Sequence, residues 1–275
     1  MENKRTILLT GASGFLGSRI LSKIDESYIV YLLTNKNKIK NLKSNHIQIG
    51  RNELDKIDNL DTVIHCAGKM RGTAKKIWSV NYNLTKILLN LSIKHNAFFL
   101  FFSTLNAGLN YKGHYENSKY EAEKKIFHGS KNFLIVRPSY LFDTDCQPNL
   151  IFFNRFFFIF KYLPILFIPP SNFLVQPLHI DDLLWFCILR IEKKDYKGKI
   201  IEVAGPHNIG IWVLIKQYFV SNGINIKFIK LSKLFFTPLR FCFRNKMNIL
   251  FQDRTLKKNK EIIGFIIDGN RISKI

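Results

Sequence analysis

Acidic residues are the first scarcity: 20 Asp and Glu stand against 42 Lys and Arg, for a formal net charge of +22. A field of that sign attracts anions. The lysines are spread along the chain and not gathered in one tract, so no specific nucleic-acid site is read from them; a peripheral contact with an acidic membrane stays open. Cysteine is also sparse. Cys66, Cys146, Cys187 and Cys242 show no C-x-x-C spacing, which excludes a readable zinc ribbon or disulfide framework and fits a reducing compartment. No metal site is read around His65 or His179, because nothing at ligand spacing accompanies them. A long uncharged apolar run is missing too. The aromatic tract at 150–168 is broken by Asn154, Arg155, Lys161 and Pro164, so it fails as a membrane span and is expected to be a core helix closing a cleft. The first apolar run, Ile7 to Thr10, is too short for a secretory leader. The expected location is the cytoplasm, with membrane association at its face as the variant.

What is present is an alternation of short apolar runs and helical patterns. Strands are predicted at 6–10, 29–33, 46–49, 62–65, 98–102 and 133–136, and helices near 15–24, 73–93 and 115–128. Apolar strands separated by helices imply a parallel sheet covered on both faces, the Rossmann-type doubly wound α/β fold. After Pro138 the rhythm changes. The expected division is a dinucleotide-binding domain over 1–149 and a smaller substrate lobe over 150–275, with 173–204 returning to the main sheet. Within that segment VQPLHIDDL reads as a strand leading to a helix capped by Asp181 or Asp182.

The string TGASGFLG places Gly11, Gly14 and Gly17 directly after the first strand and at the start of the first helix. Glycines there allow a tight turn and let backbone N–H groups approach a pyrophosphate at the helix N-terminus. Ser13, Phe15 and Leu16 belong to the same loop. At the end of the second strand, where an NAD site offers a carboxylate to the ribose, the chain reads TNKNK, with no Asp or Glu between Glu26 and Glu53. Thr34 and Lys36 therefore suit the 2′-phosphate of NADP, with NAD as the alternative.

The G-x-x-G-x-x-G spacing resembles the short-chain dehydrogenase/reductase superfamily, in particular its extended and atypical epimerase/dehydratase members. Other segments follow in the same order: VIHCAG at 63–68, VNYNLTKILL at 80–89 with Leu84 where the family prefers glycine, VRPSYLF at 136–142, VQPLHIDDL, EVAGP at 202–206 and DRTLKKNKEIIGF at 253–265. The short loop after the fifth strand and the string FFNRFFFIFKYLPIL look most like the atypical subgroup, relatives of the NADPH-binding accessory subunit of respiratory complex I. The resemblance implies that Cys66, Ala67, Gly68 and Pro138 lie along the cofactor and that the substrate is a nucleotide-linked sugar. A homodimer is an open expectation.

Hydride transfer at a carbinol or carbonyl carbon needs a group that exchanges a proton with the oxygen. A tyrosine does so when a lysine one helical turn away stabilises its phenolate. Three Y-x-x-x-K pairs occur: Tyr82/Lys86, Tyr115/Lys119 and Tyr120/Lys124. Tyr115/Lys119 is favoured, because it follows the strand that ends at Ser103 and Thr104 and carries the Ser118-Lys119 dipeptide. Lys119 would also hold the nicotinamide ribose. Thr104 is the expected substrate hydroxyl partner, with Ser103 as the alternative. The expected function is an NAD(P)-dependent oxidoreductase, epimerase or dehydratase. The other reading is a catalytically weak NADP(H)-binding protein with a structural or sensing role.

Overall fold

The computed structural model describes residues 4–34, 39–108, 113–143, 162, 164–168, 173–193, 197–221, 223–231, 263–268 and 271–274. They fall into two compact units. The first comprises Met1–Gly108, His114–Arg137 and Leu183–Ile201; the second comprises Leu109–Gly113, Pro138–Asp182 and Glu202–Ile275. Among the described residues, no helix is long and apolar enough to cross a membrane.

In the first unit the strands are β1 (Arg5–Thr10), β2 (Tyr28–Leu33), β3 (His46–Ile49), β4 (Thr62–His65), β5 (Phe98–Phe102) and β6 (Phe133–Pro138). They pair in parallel in the order β6-β5-β4-β1-β2-β3. The strand Lys199–Ala204 stands next to β6 as the seventh strand of the parallel sheet, which continues beyond it. The order reverses beside β1, so a crevice opens where the carboxyl ends of β1 and β4 diverge, the ligand position of doubly wound sheets. The strands read as nearly unbroken apolar runs because both faces are covered. Phe98, Phe99, Leu100 and Phe101 of β5 are fully buried, as are Val63 and Ile64 of β4 and Leu8 and Leu9 of β1.

The crossovers are α1 (Phe15–Lys23), α2 (Ala74–Trp78), α3 (Leu84–Lys94) and α4 (His114–Gly129). The stretch expected as one helix over 73–93 is α2 and α3 joined by a π-helical turn, Ser79–Asn83. Such turns insert one residue and re-aim side chains. Helix α4 is tied to β6 by a buried ion pair: Arg137 Nε and Nη2 donate to Glu123 Oε1 and Oε2 at 2.9 and 2.6 Å. Removing one partner strands the other charge in the core. Glu123→Ala is therefore expected to cost about 3–5 kcal/mol, read as a lowered midpoint in urea unfolding.

In the second unit β7 (Tyr140–Phe142) pairs in parallel with β10 (Pro177–His179), β8 (Ile165–Ile168) with β13 (Lys227–Lys230), and β9 (Leu174–Val175) runs antiparallel to β12 (Ile209–Gly210). Val203 and Ala204 of β11 (Lys199–Ala204) pair with β14 (Ile263–Asp268), which turns back into β15 (Arg271–Lys274). Helix α5 (Ile180–Lys193) starts in this unit and from Leu183 on belongs to the first, and α6 (Ile211–Ser221) belongs to the second. A small core gathers Ile215, Phe219, Ile224 and Ile226 under Trp212 and Phe228.

Two expectations are corrected here. Residues 165–168, expected as the end of a helix, form strand β8; Pro164 lacks the N–H a helix interior needs, and Ile165 begins a run that pairs instead. The rest of that aromatic tract, apart from Tyr162 and Pro164, lies outside the described residues. Neither Asp181 nor Asp182 caps α5. Both lie in its first turn, and His179 Nδ1 accepts the Asp181 amide at 3.2 Å.

Candidate dinucleotide-binding and active site

The three glycines of the first loop play two different parts. Gly11 has φ +74, and a Cβ there would lie 2.7 Å from the Ala67 nitrogen. A Cβ on Gly17 would lie 2.1 Å from the Gly11 carbonyl oxygen. These two glycines allow β1, α1 and the end of β4 to close on one another. Gly14 is different. Its amide donates to the Gly11 carbonyl at 2.9 Å, it precedes the first turn of α1, and a Cβ would meet only that carbonyl, at 3.2 Å. The N-cap residue, Gly14, has no side chain to cap α1, so its first amides face outward with the positive end of the helix dipole.

A cavity of about 360 Å³ opens above this loop. Gly11, Ala12 and Ser13 form one side and Thr34 and Ala67 another, so the structure brings the sequence-predicted Gly11, Ser13, Thr34 and Ala67 together. Phe15 and Leu16 are half-buried in the first turn of α1. Pro138 is buried at the end of β6. Lys36 lies outside the described residues. The cavity also takes Ile39, Arg51, Val80 and Leu84, which the sequence reading did not assign to it. Leu84 carried one signal: it stands where the resembled family has glycine, and its side chain lines the cleft.

Below the cleft a chain of directed hydrogen bonds fixes the end of β4. The Thr85 hydroxyl donates to the Asn81 carbonyl at 2.7 Å, so it accepts from His65 Nε2 at 2.9 Å. His65 Nδ1 then accepts from the Thr10 hydroxyl at 2.7 Å, and Thr10 Oγ1 accepts the Ala67 amide at 3.3 Å. The imidazole is fully buried, and burial, followed by the charge of Lys119, holds its pKa well below the ordinary value. His65 is thus a neutral structural residue. Its folded pKa lies below the unfolded one, so the stability it contributes is present above the unfolded value, about 6.5, and is lost as pH falls toward the folded value. His65→Gln is expected to remove about one bound proton from acid unfolding, flattening the loss of stability below that pH by about 1.4 kcal/mol per pH unit. Urea unfolding at stepped pH measures it.

Lys119 is buried on α4. Its Nζ donates to the Phe102 carbonyl at 2.7 Å and lies 4.5 Å from the Phe101 ring centroid. A Cβ on Gly68 would come within 3.6 Å of that Nζ and 3.8 Å of Asn81 Oδ1. Burial lowers the Lys119 pKa to about 8, against the opposing pull of Cys66 and Glu123. Cys66 beside it is half-buried, and burial raises its thiol. Asn81, in the π-helical turn, is fully buried. It donates to Ser118 Oγ at 2.9 Å and clasps the Lys69 backbone through bonds of 2.7 and 3.0 Å. Ser118 in turn donates to the Tyr115 carbonyl at 2.7 Å. The loop after Gly68 and the first turns of α4 are therefore locked together through a residue that the sequence reading did not single out.

Tyr115 is half-buried one turn before Lys119. Burial, and then the Glu116 carboxylate, push its phenol above the ordinary tyrosine value. Ahead of α4, Ser103 Oγ is buried with no hydrogen-bond partner among the described residues. Thr104 Oγ1 accepts the Asn106 amide at 3.3 Å, which leaves its own proton to donate. The other two tyrosine–lysine pairs lack this setting. Lys86 is exposed, and Tyr82 packs edgewise on Trp78 with ring centroids 5.7 Å apart. Lys124 pairs with Glu121 at 2.8 Å and lies 5.3 Å from the Tyr120 ring centroid.

Residues 7–125 match the NAD dependent epimerase/dehydratase family. No curated protein matches the chain. Among solved structures it is similar to a dTDP-4-dehydrorhamnose reductase from Bacillus anthracis str. Ames in complex with NADP, at 17% identity and a TM-score of 0.66 over 86% of each chain. It is similar also to a UDP-glucuronic acid 4-epimerase from Bacillus cereus in complex with NAD, at 19% identity and a TM-score of 0.65 over 82% of this chain and 88% of that one. A third, the dTDP-glucose 4,6-dehydratase from Bacillus anthracis str. Ames in complex with NAD, has 15% identity and a TM-score of 0.64 over 82% and 85%. At these identities the likeness is one of fold.

Proposed function

We propose, for a chain whose residues 7–125 read as an NAD dependent epimerase/dehydratase domain, that it is an NADP(H)-dependent reductase, epimerase or dehydratase acting on a nucleotide-linked sugar. One observation carries the enzyme reading: of three tyrosine–lysine pairs, only Tyr115/Lys119 has its lysine buried, against Gly68 at the end of β4. The glycine loop fits a dinucleotide, because Gly11 and Gly17 have no room for a side chain, while a Cβ on Gly14, just before the first turn of α1, would meet only the Gly11 carbonyl oxygen. When bound, the nicotinamide supplies or accepts a hydride. The residues of the chain do the rest. Lys119 would hold the nicotinamide ribose and keep a positive charge near the reacting oxygen below about pH 8. Tyr115 keeps its proton at neutral pH and donates it to a carbonyl oxygen as that oxygen gains charge. Thr104 or Ser103 offers the hydroxyl that orients the oxygen. Thr104 has a free proton to give; Ser103 has an unengaged hydroxyl. The nucleotide-sugar assignment is supported by the names of the three structural relatives given above, each of which names a nucleotide-linked sugar.

The test is titration of tryptophan fluorescence with NADPH and NADH, followed by NADPH oxidation against dTDP- and UDP-linked keto sugars. Binding of neither dinucleotide would overturn the proposal. Leu84, which lines the cleft where the resembled family prefers glycine, favours a second reading, an NADP(H)-binding protein with little turnover. Tight NADPH binding with no turnover of any nucleotide sugar would select it.

A further inference from the structure

The cofactor reading above leaves open which group recognises the adenosine ribose. We infer that Arg51 is the residue that binds the 2′-phosphate of NADP(H), reaching the cleft from the end of β3 and not from the end of β2; the inference rests on that cofactor reading. Strands β2 and β3 run in parallel register, with Leu33 opposite Ile49. Their carboxyl ends therefore lie at the same edge, and the Thr34 amide donates to the Ile49 carbonyl at 3.0 Å. Gly50 follows, and Arg51 opens the 3₁₀ turn Arg51–Lys56. Arg51 lines the same cavity as Ser13, Thr34 and Ile39. Its side chain is exposed and makes no hydrogen bond or ion pair among the described residues.

The surroundings lack the competitor that would spoil such a site. An NAD-selective cleft places a carboxylate at the end of β2 to take the ribose hydroxyls; Thr34 stands there instead. Glu53, the next carboxylate along the chain, is already committed. Its Oε2 accepts the Gly50 amide at 2.8 Å and its Oε1 pairs with Lys56 at 3.3 Å. A guanidinium offers paired N–H donors that match a phosphate edge, which an ammonium cannot do. The apolar Ile39 side chain in the same cavity suits the adenine ring beside it. Arg51 could alternatively stack on adenine without touching the phosphate, and the experiment separates the two.

Parent, Arg51→Ala and Lys36→Ala proteins are titrated with adenosine 2′,5′-bisphosphate, 5′-AMP, NADPH and NADH, with circular dichroism confirming the fold. Arg51→Ala is expected to weaken the bisphosphate and NADPH by about tenfold to a hundredfold, the scale of losing a charge-assisted hydrogen-bond pair. Affinity for 5′-AMP and NADH should stay within about twofold, well inside that range. Equal weakening of all four ligands would assign Arg51 to adenine and overturn the inference. So would discrimination that survives in Arg51→Ala and disappears in Lys36→Ala, or a parent that binds NADPH and NADH alike. A parent that binds none of the four overturns the dinucleotide reading as well.

Discussion

Gly14→Val is expected to yield a folded protein that no longer binds NADPH, whereas Gly17→Ala, a smaller change, is expected to damage the fold itself. The difference lies in what each new Cβ meets. At Gly14 it meets only the Gly11 carbonyl oxygen, at 3.2 Å. A valine there would fill the path of a pyrophosphate toward the first amides of α1. Affinity should fall by about a hundredfold or more, equivalent to ~2.7 kcal/mol, with little change in the urea midpoint. At Gly17 the Cβ would sit 2.1 Å from the Gly11 carbonyl oxygen and 2.6 Å from its carbon. Backbone cannot swing aside as a side chain does, so α1 must lift from β1. Overpacking of this kind costs about 1–3 kcal/mol and at times more, and contact with backbone puts this site at the upper end. Thermal unfolding and NADPH titration of both variants check the pair. A Gly14→Val protein that keeps its affinity would reduce the loop to a turn.

The same loop shows why parts of the site could be read from the chain alone. A phosphate-binding turn is local: the strand, the glycines and the helix are consecutive, and spacing suffices to find it. The strands were legible for a similar reason. Runs such as FFLFF at 98–102 are apolar at every position, which a strand buried on both faces requires. What the chain hides is assembled across the sheet. Arg51 and Leu84 enter the cleft only because parallel pairing brings the ends of β1, β2, β3 and β4 to one edge. Asn81 was hidden by the π-helical turn. It belongs to the VNYNLTKILL segment, but one inserted residue breaks the helical period, so the pattern does not tell which side chain turns inward. Strand β8 is not legible as a strand because a short apolar run has no period of its own, and its partner β13 lies far along the chain. The choice between Ser103 and Thr104 was equally out of reach, since it depends on which hydroxyl the Asn106 amide engages.

Tyr115→Phe is expected to lower turnover of a nucleotide sugar by about a hundredfold or more, the usual scale for a positioned acid or base, while NADPH affinity barely changes. The phenol keeps its proton because burial and Glu116 both raise its pKa. Proton donation to a carbonyl is thus the direction for which it is poised, and reduction should be faster than the reverse oxidation at neutral pH. Lys119→Met should behave differently. Its ammonium is packed between the Phe102 carbonyl, the Phe101 ring and Gly68, so its loss should weaken both turnover and NADPH binding. Tyr82→Phe and Tyr120→Phe should change neither, because Tyr82 packs on Trp78 and Lys124 is engaged with Glu121. The four variants are compared by single-turnover NADPH oxidation and by titration. If Tyr115→Phe matches a parent that does turn over, the proton comes from elsewhere, and Thr104, with its hydroxyl proton free, is the next residue to replace.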